Sequence, residues 1–356
     1  MRILFISFGI IWAFLFNPVL ANDANITPRI IGGTTAKSTA WPWMAALIDL
    51  TSKRSNDFFC GGSLIAPNWI VTAAHCVQDQ YIGSFELIIN STRLDSWTAT
   101  HLTPKAIVIH PRFNNKQLTN DIALIQLTNS ISVSPIEVLP EFSIQDDAGR
   151  SGIALGWGNT SVNDYVYPSS LQQVELPIIS NQKCQQSMSG ILDTMLCAGS
   201  ELGGKDTCDG DSGGPLVVFD AESLSWRLAG LTSFGESACA EKGSYGVYTR
   251  LDKYNDFISN TICKVNDIPT PPVLSFESKG NLATAHWTTS KLATHYRLNY
   301  INYPNFYAYA TASLEAGNLD HFSAELPSGI GYSISITAYN GNCKSQTSNV
   351  VDFIIP

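Results

Sequence analysis

Positive charge is scarce in this chain. Lysine and arginine together number 21 against 30 aspartates and glutamates, a formal net charge of -9. Without a basic surplus there is no electrostatic footprint for nucleic acid or an anionic membrane. Charged residues of either sign make up only 14% of the chain while hydrophobic ones reach 44%, which excludes a disordered polyelectrolyte. Long apolar runs are missing beyond the first residues. The dense run from Ile3 to Phe16 stops at Asn17-Pro18 after about 14 apolar-dominated positions, short of the roughly 18 to 20 that a bilayer-spanning helix needs. Internal repeats and low-complexity tracts are absent.

What is present at the start is a short positive beginning (Met1-Arg2), that apolar run, and a small-residue pattern at Val19-Leu20-Ala21. The combination predicts a secretory signal over 1–21, and hence an exported protein with no membrane span. Eight cysteines, at 60, 76, 184, 197, 208, 239, 263 and 343, fit an oxidising compartment. An even number suggests disulfides, although counting alone leaves 105 pairings open. None of the spacings interleaves histidines in a zinc pattern, so neither a metal nor a cofactor is expected. Acceptor triplets for N-glycans begin at Asn25, Asn90 and Asn159.

The chain divides readily. Residues 22–29 form a short polar segment. From Ile30 to about Cys263 come many brief β-type runs, such as Met44-Ala45-Ala46-Leu47-Ile48 and Ile122-Ala123-Leu124-Ile125, separated by Gly, Pro and Asn clusters. That pattern predicts an antiparallel all-β body. One helix is expected over Tyr254 to Ile262, where apolar residues fall at helical spacing. The stretch 264–272, with Pro269, Pro271 and Pro272, reads as an extended linker. Short alternating strands resume over 273–356.

Hydrolysing an amide at neutral pH needs a nucleophile, a base, a group to orient the base, and donors for the oxyanion. Ser212 lies in the turn Gly210-Asp211-Ser212-Gly213-Gly214-Pro215, His75 follows the apolar run ending at Thr72, and Asp121 opens Asp121-Ile122-Ala123-Leu124. Each alone is an ordinary turn or strand-end residue. Together, in the order His, Asp, Ser, they supply the set.

These segments resemble the chymotrypsin/trypsin family of serine proteases. The resemblance runs from Ile30 to about Cys263 and includes Ile30-Ile31-Gly32-Gly33, Thr72 to Cys76, Asp121 to Leu124, Gly156-Trp157-Gly158, Gly210 to Pro215 and Gly246-Val247-Tyr248. It implies two six-stranded antiparallel β-barrels with a catalytic cleft between them. It also implies Ser212 as nucleophile, His75 as general base and then acid, and Asp121 as the residue that orients the imidazole. The N–H groups of Gly210 and Ser212 would form the oxyanion hole.

Asp206, six residues before the nucleophile, matches the base of the family's primary pocket. With Ser233, Gly235 and Gly246 as walls, it implies substrates with Arg or Lys before the scissile bond. Cleavage after Arg29 would free Ile30 to pair with Asp211, so the precursor would be a zymogen. The disulfides implied by resemblance are Cys60–Cys76, Cys184–Cys197 and Cys208–Cys239. Departures from the family are Phe234, where Trp is usual, and the acidic Asp209 before Gly210. Residues Gln78 to Ser96 lack the acidic spacing of the family's calcium loop.

Residues 273–356 resemble a fibronectin type III-like β-sandwich, on Trp287, Tyr296-Arg297-Leu298 and a tyrosine-corner-like stretch from Leu326 to Tyr332. A different all-β sandwich is the alternative. A Cys263–Cys343 bridge would fasten this small domain to the first. Its aromatics Tyr300, Tyr303, Phe306, Tyr307 and Tyr309 would either pack the sandwich or offer a face to a surface or protein ligand. Nothing requires more than a monomer. The rival function is an inactive protease homologue serving adhesion or ligand binding.

Overall fold

The computed structural model describes residues 30–356 except 39, 53–56, 141–147, 162–163, 221–224, 236–238 and 306–307. The expected signal, the polar segment 22–29 with Arg29, and the sequon at Asn25 lie outside the described residues.

The first unit is a seven-stranded antiparallel sheet. Its order is Thr100–Leu102, Phe85–Ile89, Met44–Asp49, Asp57–Ala66, Trp69–Thr72, Ala123–Leu127 and Pro104–Ile109. The apolar runs read from the sequence form its central strands, buried on both faces. The sheet curls, but among the described residues no ladder joins its edges. This corrects the expectation of two closed barrels, for a physical reason visible at Thr103. The two edge strands are consecutive pieces of one chain, and the Thr103 carbonyl between them accepts from the Thr128 amide. Pro104, next along, has no N–H with which to extend a ladder.

The second unit does close. Its strands run Thr34–Thr35, Gln172–Ile179, Ser151–Gly156, Pro215–Asp220, Ser225–Phe234, Gly246–Arg250 and Met195–Ala198. Met195–Ala198 pairs back onto Gln172–Ile179, Ile178 facing Ala198, which completes a six-stranded barrel. Along Gln172–Ile179 burial alternates strictly, so Val174, Leu176 and Ile178 fill the barrel with Leu196, Leu216 and Tyr248. The connector between the units contributes Glu137–Val138, a parallel addition to Ser225–Phe234. The predicted helix appears as Asn255–Ile262, entered through a tight turn over Leu251–Tyr254.

Beyond the linker, a three-stranded sheet (Leu274–Lys279, Leu282–Trp287, His321–Glu325) faces a five-stranded one. Ala308–Gly317, His295–Asn305, Gly331–Asn340, Cys343–Lys344 and Val351–Ile354 make up the second sheet. Leu274, Ala285 and Trp287 of the first sheet share a core with Tyr296, Leu298, Ile334 and Ile336 of the second. Tyr300 packs on that core and Tyr332 stacks its ring on Phe353. Of the other aromatics singled out above, Phe306 and Tyr307 lie outside the described residues, as do the side chains of Tyr303 and Tyr309.

All eight cysteines pair as expected: Cys60–Cys76, Cys184–Cys197, Cys208–Cys239 and Cys263–Cys343. Among the described residues no helix is long and apolar enough to cross a membrane.

Candidate active site

The strand Trp69–Thr72 ends in extended Ala73, and a single helical turn, Ala74–Val77, then presents His75 at the surface of the curled sheet. The Cys76–Cys60 bond ties that turn to the neighbouring strand Asp57–Ala66. The two sulfurs lie within ligand distance of His75. Bonded to each other, they are not free thiolates. Asp121 lies two residues before the buried strand Ala123–Leu127 begins and is itself fully buried.

Three donors converge on the Asp121 carboxylate. The amide of His75 reaches Oδ1 at 2.9 Å, its Nδ1 lies 2.8 Å from Oδ2, and the Ser233 hydroxyl donates to Oδ2 as well. Thr249 Oγ1 donates to the Asp121 carbonyl at 2.7 Å. Because a carboxylate oxygen only accepts, Nδ1 carries the imidazole hydrogen, and Nε2 keeps a lone pair for an incoming proton. Ser233, expected among the pocket walls, thus turns its hydroxyl to Asp121. Sequence reasoning missed both that contact and Thr249; neither has a local signal.

The Ser212 turn is pressed onto strand Asp57–Ala66 and onto the end of the strand Trp69–Thr72 that leads to His75. The Ser212 carbonyl accepts from Gly61 N at 2.7 Å. Gly213 has φ +72°, and a Cβ there would lie 2.2 Å from Thr72 Oγ1 and 3.1 Å from Ala73 N. Only glycine permits this approach, which brings the Ser212 turn against the residues just before His75. Gly210 (φ +93°) is bounded by Gly158 Cα and the Tyr167 ring. Asn159 N donates to the Asp209 carbonyl at 2.7 Å, holding the turn just before Gly210. The Asn159 side chain is buried and bonded within its own loop, so that acceptor triplet does not present its amide to solvent.

Asp206 is buried, 4% exposed, with Oδ1 accepting from Thr207 N at 2.9 Å and Oδ2 from Ala240 N at 3.0 Å. No cation reaches it among the described residues. Burial pushes its carboxyl up to about 6, against the two N–H bonds that favour the anion. A Cβ on Gly246 would sit 3.2 Å from Asp206 Oδ1, and one on Gly235 would meet nothing closer than the Tyr245 carbonyl at 3.9 Å. Glycine at 246 keeps a side chain off the Asp206 carboxylate, and the space beside Gly235 is open. Thr207 Oγ1 lies 3.2 Å from the Tyr248 hydroxyl. Phe234 packs against the Cys184–Cys197 cluster with Tyr245, while Asp209 is exposed and residues 236–238 lie outside the described residues.

Asp211, beside Ser212, is fully buried and accepts from Gly158 N and Cys208 N, each at 2.9 Å. Burial raises its carboxyl to about 7, with Asp206 and Asp209 adding to the rise. A Cβ on Gly156 would lie 2.0 Å from its Oδ1, so the backbone has been cleared to seat it. Ile30 is fully buried in the closed barrel's core, and Ile31 accepts from the Asp206 amide at 3.2 Å.

The trypsin family model matches residues 30–258. Kallikrein-11 of Homo sapiens is 39% identical over 243 residues, covering 66% of this chain and 80% of that protein. Trypsin II-P29 of Gallus gallus is 36% identical over 266 residues, 74% of this chain and 99% of the relative. Mannan-binding lectin serine protease 1 of Mus musculus is 34% identical over 253 residues, 65% of this chain and 35% of the relative. The matched region begins at the buried Ile30 and carries the His75–Asp121 pair, the Ser212 turn and the closed barrel: the chain belongs to the trypsin family of serine proteases.

Proposed function

We propose that the chain is an exported serine endopeptidase zymogen that, once cut after Arg29, hydrolyses peptide bonds following Arg or Lys. The observation that carries the specificity is Asp206: a buried carboxylate held by two N–H donors, kept clear of a side chain by Gly246, with no cation reaching it among the described residues. Stranding such a charge is costly, and a guanidinium or ammonium side chain relieves it.

In the reaction, Ser212 Oγ attacks the substrate carbonyl carbon while His75 Nε2 takes its proton. The carbonyl oxygen becomes an oxyanion held by the N–H groups of Gly210 and Ser212. His75 returns the proton to the departing amine, leaving an acyl-enzyme, and water repeats the sequence to release the acid. Asp121 holds the imidazole tautomer and offsets its positive charge. The region 273–356 serves as an appended fibronectin type III-like sandwich. No nucleic acid, membrane span or second copy enters this reading.

Activation follows from Asp211. A fully buried carboxylate calls for a cation, and the new ammonium of Ile30 supplies one only after the chain is cut. Arg29→Gln protein is expected to show no amidase activity after treatment with trypsin, whereas the wild type gains it and reacts covalently with a fluorophosphonate at one serine. Full activity of Arg29→Gln without any processing would rule the activation scheme out.

A pH dependence follows from Asp206. Its carboxyl, raised to about 6 in the empty slot, loses its charge as the pH falls through that value. Affinity for benzamidine, a small cation, is therefore expected to be constant above about pH 7 and to weaken about tenfold per unit well below 6. Calorimetry across this range checks it; affinity that stays flat down to pH 4 would remove Asp206 as the anchor.

A further inference from the structure

The C-terminal region does more than hang from the linker. Asn340 faces Cys343 across a two-residue turn, Gly341-Asn342, with Gly341 at φ +57° in the left-handed position such a hairpin needs. The tip of that turn enters the protease. Asn342 Oδ1 accepts from Val138 N at 2.9 Å, and its Nδ2 donates to Ile65 O at 2.6 Å and Ile136 O at 3.3 Å. Ile65 belongs to strand Asp57–Ala66 of the curled sheet, while Ile136 and Val138 belong to the connector that leads to the closed barrel. The next residue, Cys343, is bonded to Cys263 at the end of the terminal helix, so the turn is covalently seated.

A buried charge cluster adds a second fastening. Arg227, 5% exposed on strand Ser225–Phe234 of the closed barrel, pairs with Glu137 of the connector and lies 3.6 Å from Glu315 of the C-terminal region. Glu315 also accepts from Arg297 at 2.7 Å, and His295 stands 3.7 Å from Glu137. The strand that carries Arg227 at this interface carries Ser233, the donor to Asp121, near its other end.

We propose that the C-terminal region is a clamp between the two halves of the protease, with Asn342 a positioning residue for hydrolysis. This rests on the catalytic reading above. His75 and Asp121 belong to the curled sheet, whereas Ser212 and Gly210 lie in the second unit, so attack geometry depends on how the units are placed against each other. A misplacement of about 1 Å costs roughly a hundredfold in rate. Asp206, Gly235 and Gly246 all belong to the second unit. The slot therefore keeps its shape when the units shift, and substrate anchoring and chemistry respond differently to a loosened clamp.

The test uses the full, processed chain. Asn342→Ala is expected to lower kcat about tenfold while benzamidine affinity stays within about twofold, and to speed hydrogen exchange at the Val138 amide. Glu315→Gln, which keeps the shape but takes the charged partner from Arg297 and one of the carboxylates facing Arg227, is expected to show the same split and serves if Asn342→Ala does not fold. Wild-type kcat in both variants overturns the proposal, as does a loss shared equally by kcat and benzamidine affinity, or unchanged Val138 exchange. A wild type that binds benzamidine but never labels with a fluorophosphonate sinks the catalytic reading instead, and the clamp is then judged on Val138 exchange alone.

Discussion

Replacing Ser212 by alanine is expected to lower kcat for an arginyl peptide amide by roughly 10⁶ and to abolish fluorophosphonate labelling. The side chain is small and sits in a turn whose shape is set by its neighbours. Gly213 fits against Thr72 and Gly61, Gly214 N donates to the Asp211 carbonyl, and Asp211 is anchored by Gly158 and Cys208. Loss of the hydroxyl therefore leaves the fold and the Asp206 slot in place. Benzamidine affinity is expected to match that of wild type. The measurement is single-turnover hydrolysis on processed protein beside calorimetric binding. Residual activity within tenfold of wild type would mean that another group performs the attack.

The second large effect is at Asp206. Asp206→Ser is expected to cost on the order of 2–5 kcal/mol in transition-state binding of Arg and Lys substrates, or roughly 30-fold to several thousandfold in kcat/KM. Part of that is the cost of leaving the substrate's own cation buried without a partner. Rates for substrates with an uncharged residue at that position should change far less, because the glycines at 235 and 246 still leave the space open. Competition between peptides differing only at that residue measures the ratio. A variant that kept its preference for basic residues would place the recognising charge elsewhere.

Much of this was legible in the chain itself. The apolar runs at Met44–Ile48 and Ile122–Ile125, the helix ending at Ile262 and the glycine-rich turn around Ser212 are local signals, and the structure forms strands, a helix and a turn there. The two barrels were legible only in part. Whether a sheet closes depends on which strand edges meet after it has curled, and the change of partner at Thr103 has no local mark. Ser233 is the clearest miss. In the sequence it is one serine beside Phe234 and Gly235, and only the folded strand carries its hydroxyl to Asp121, 112 positions away along the chain.

By itself the sequence determined the order of the candidate residues His75, Asp121 and Ser212, the glycine-rich turn around Ser212, and an even set of cysteines. Those properties reside in single side chains and their near neighbours, so a linear reading recovers them. The tertiary structure alone decided that one sheet closes and the other stays open, how deeply Asp206 and Asp211 are buried, and that Asn342 reaches Ile65 and the connector. Each of these depends on groups far apart in the chain competing for the same space, donors and exclusion from water, and that competition is resolved only when the whole chain packs.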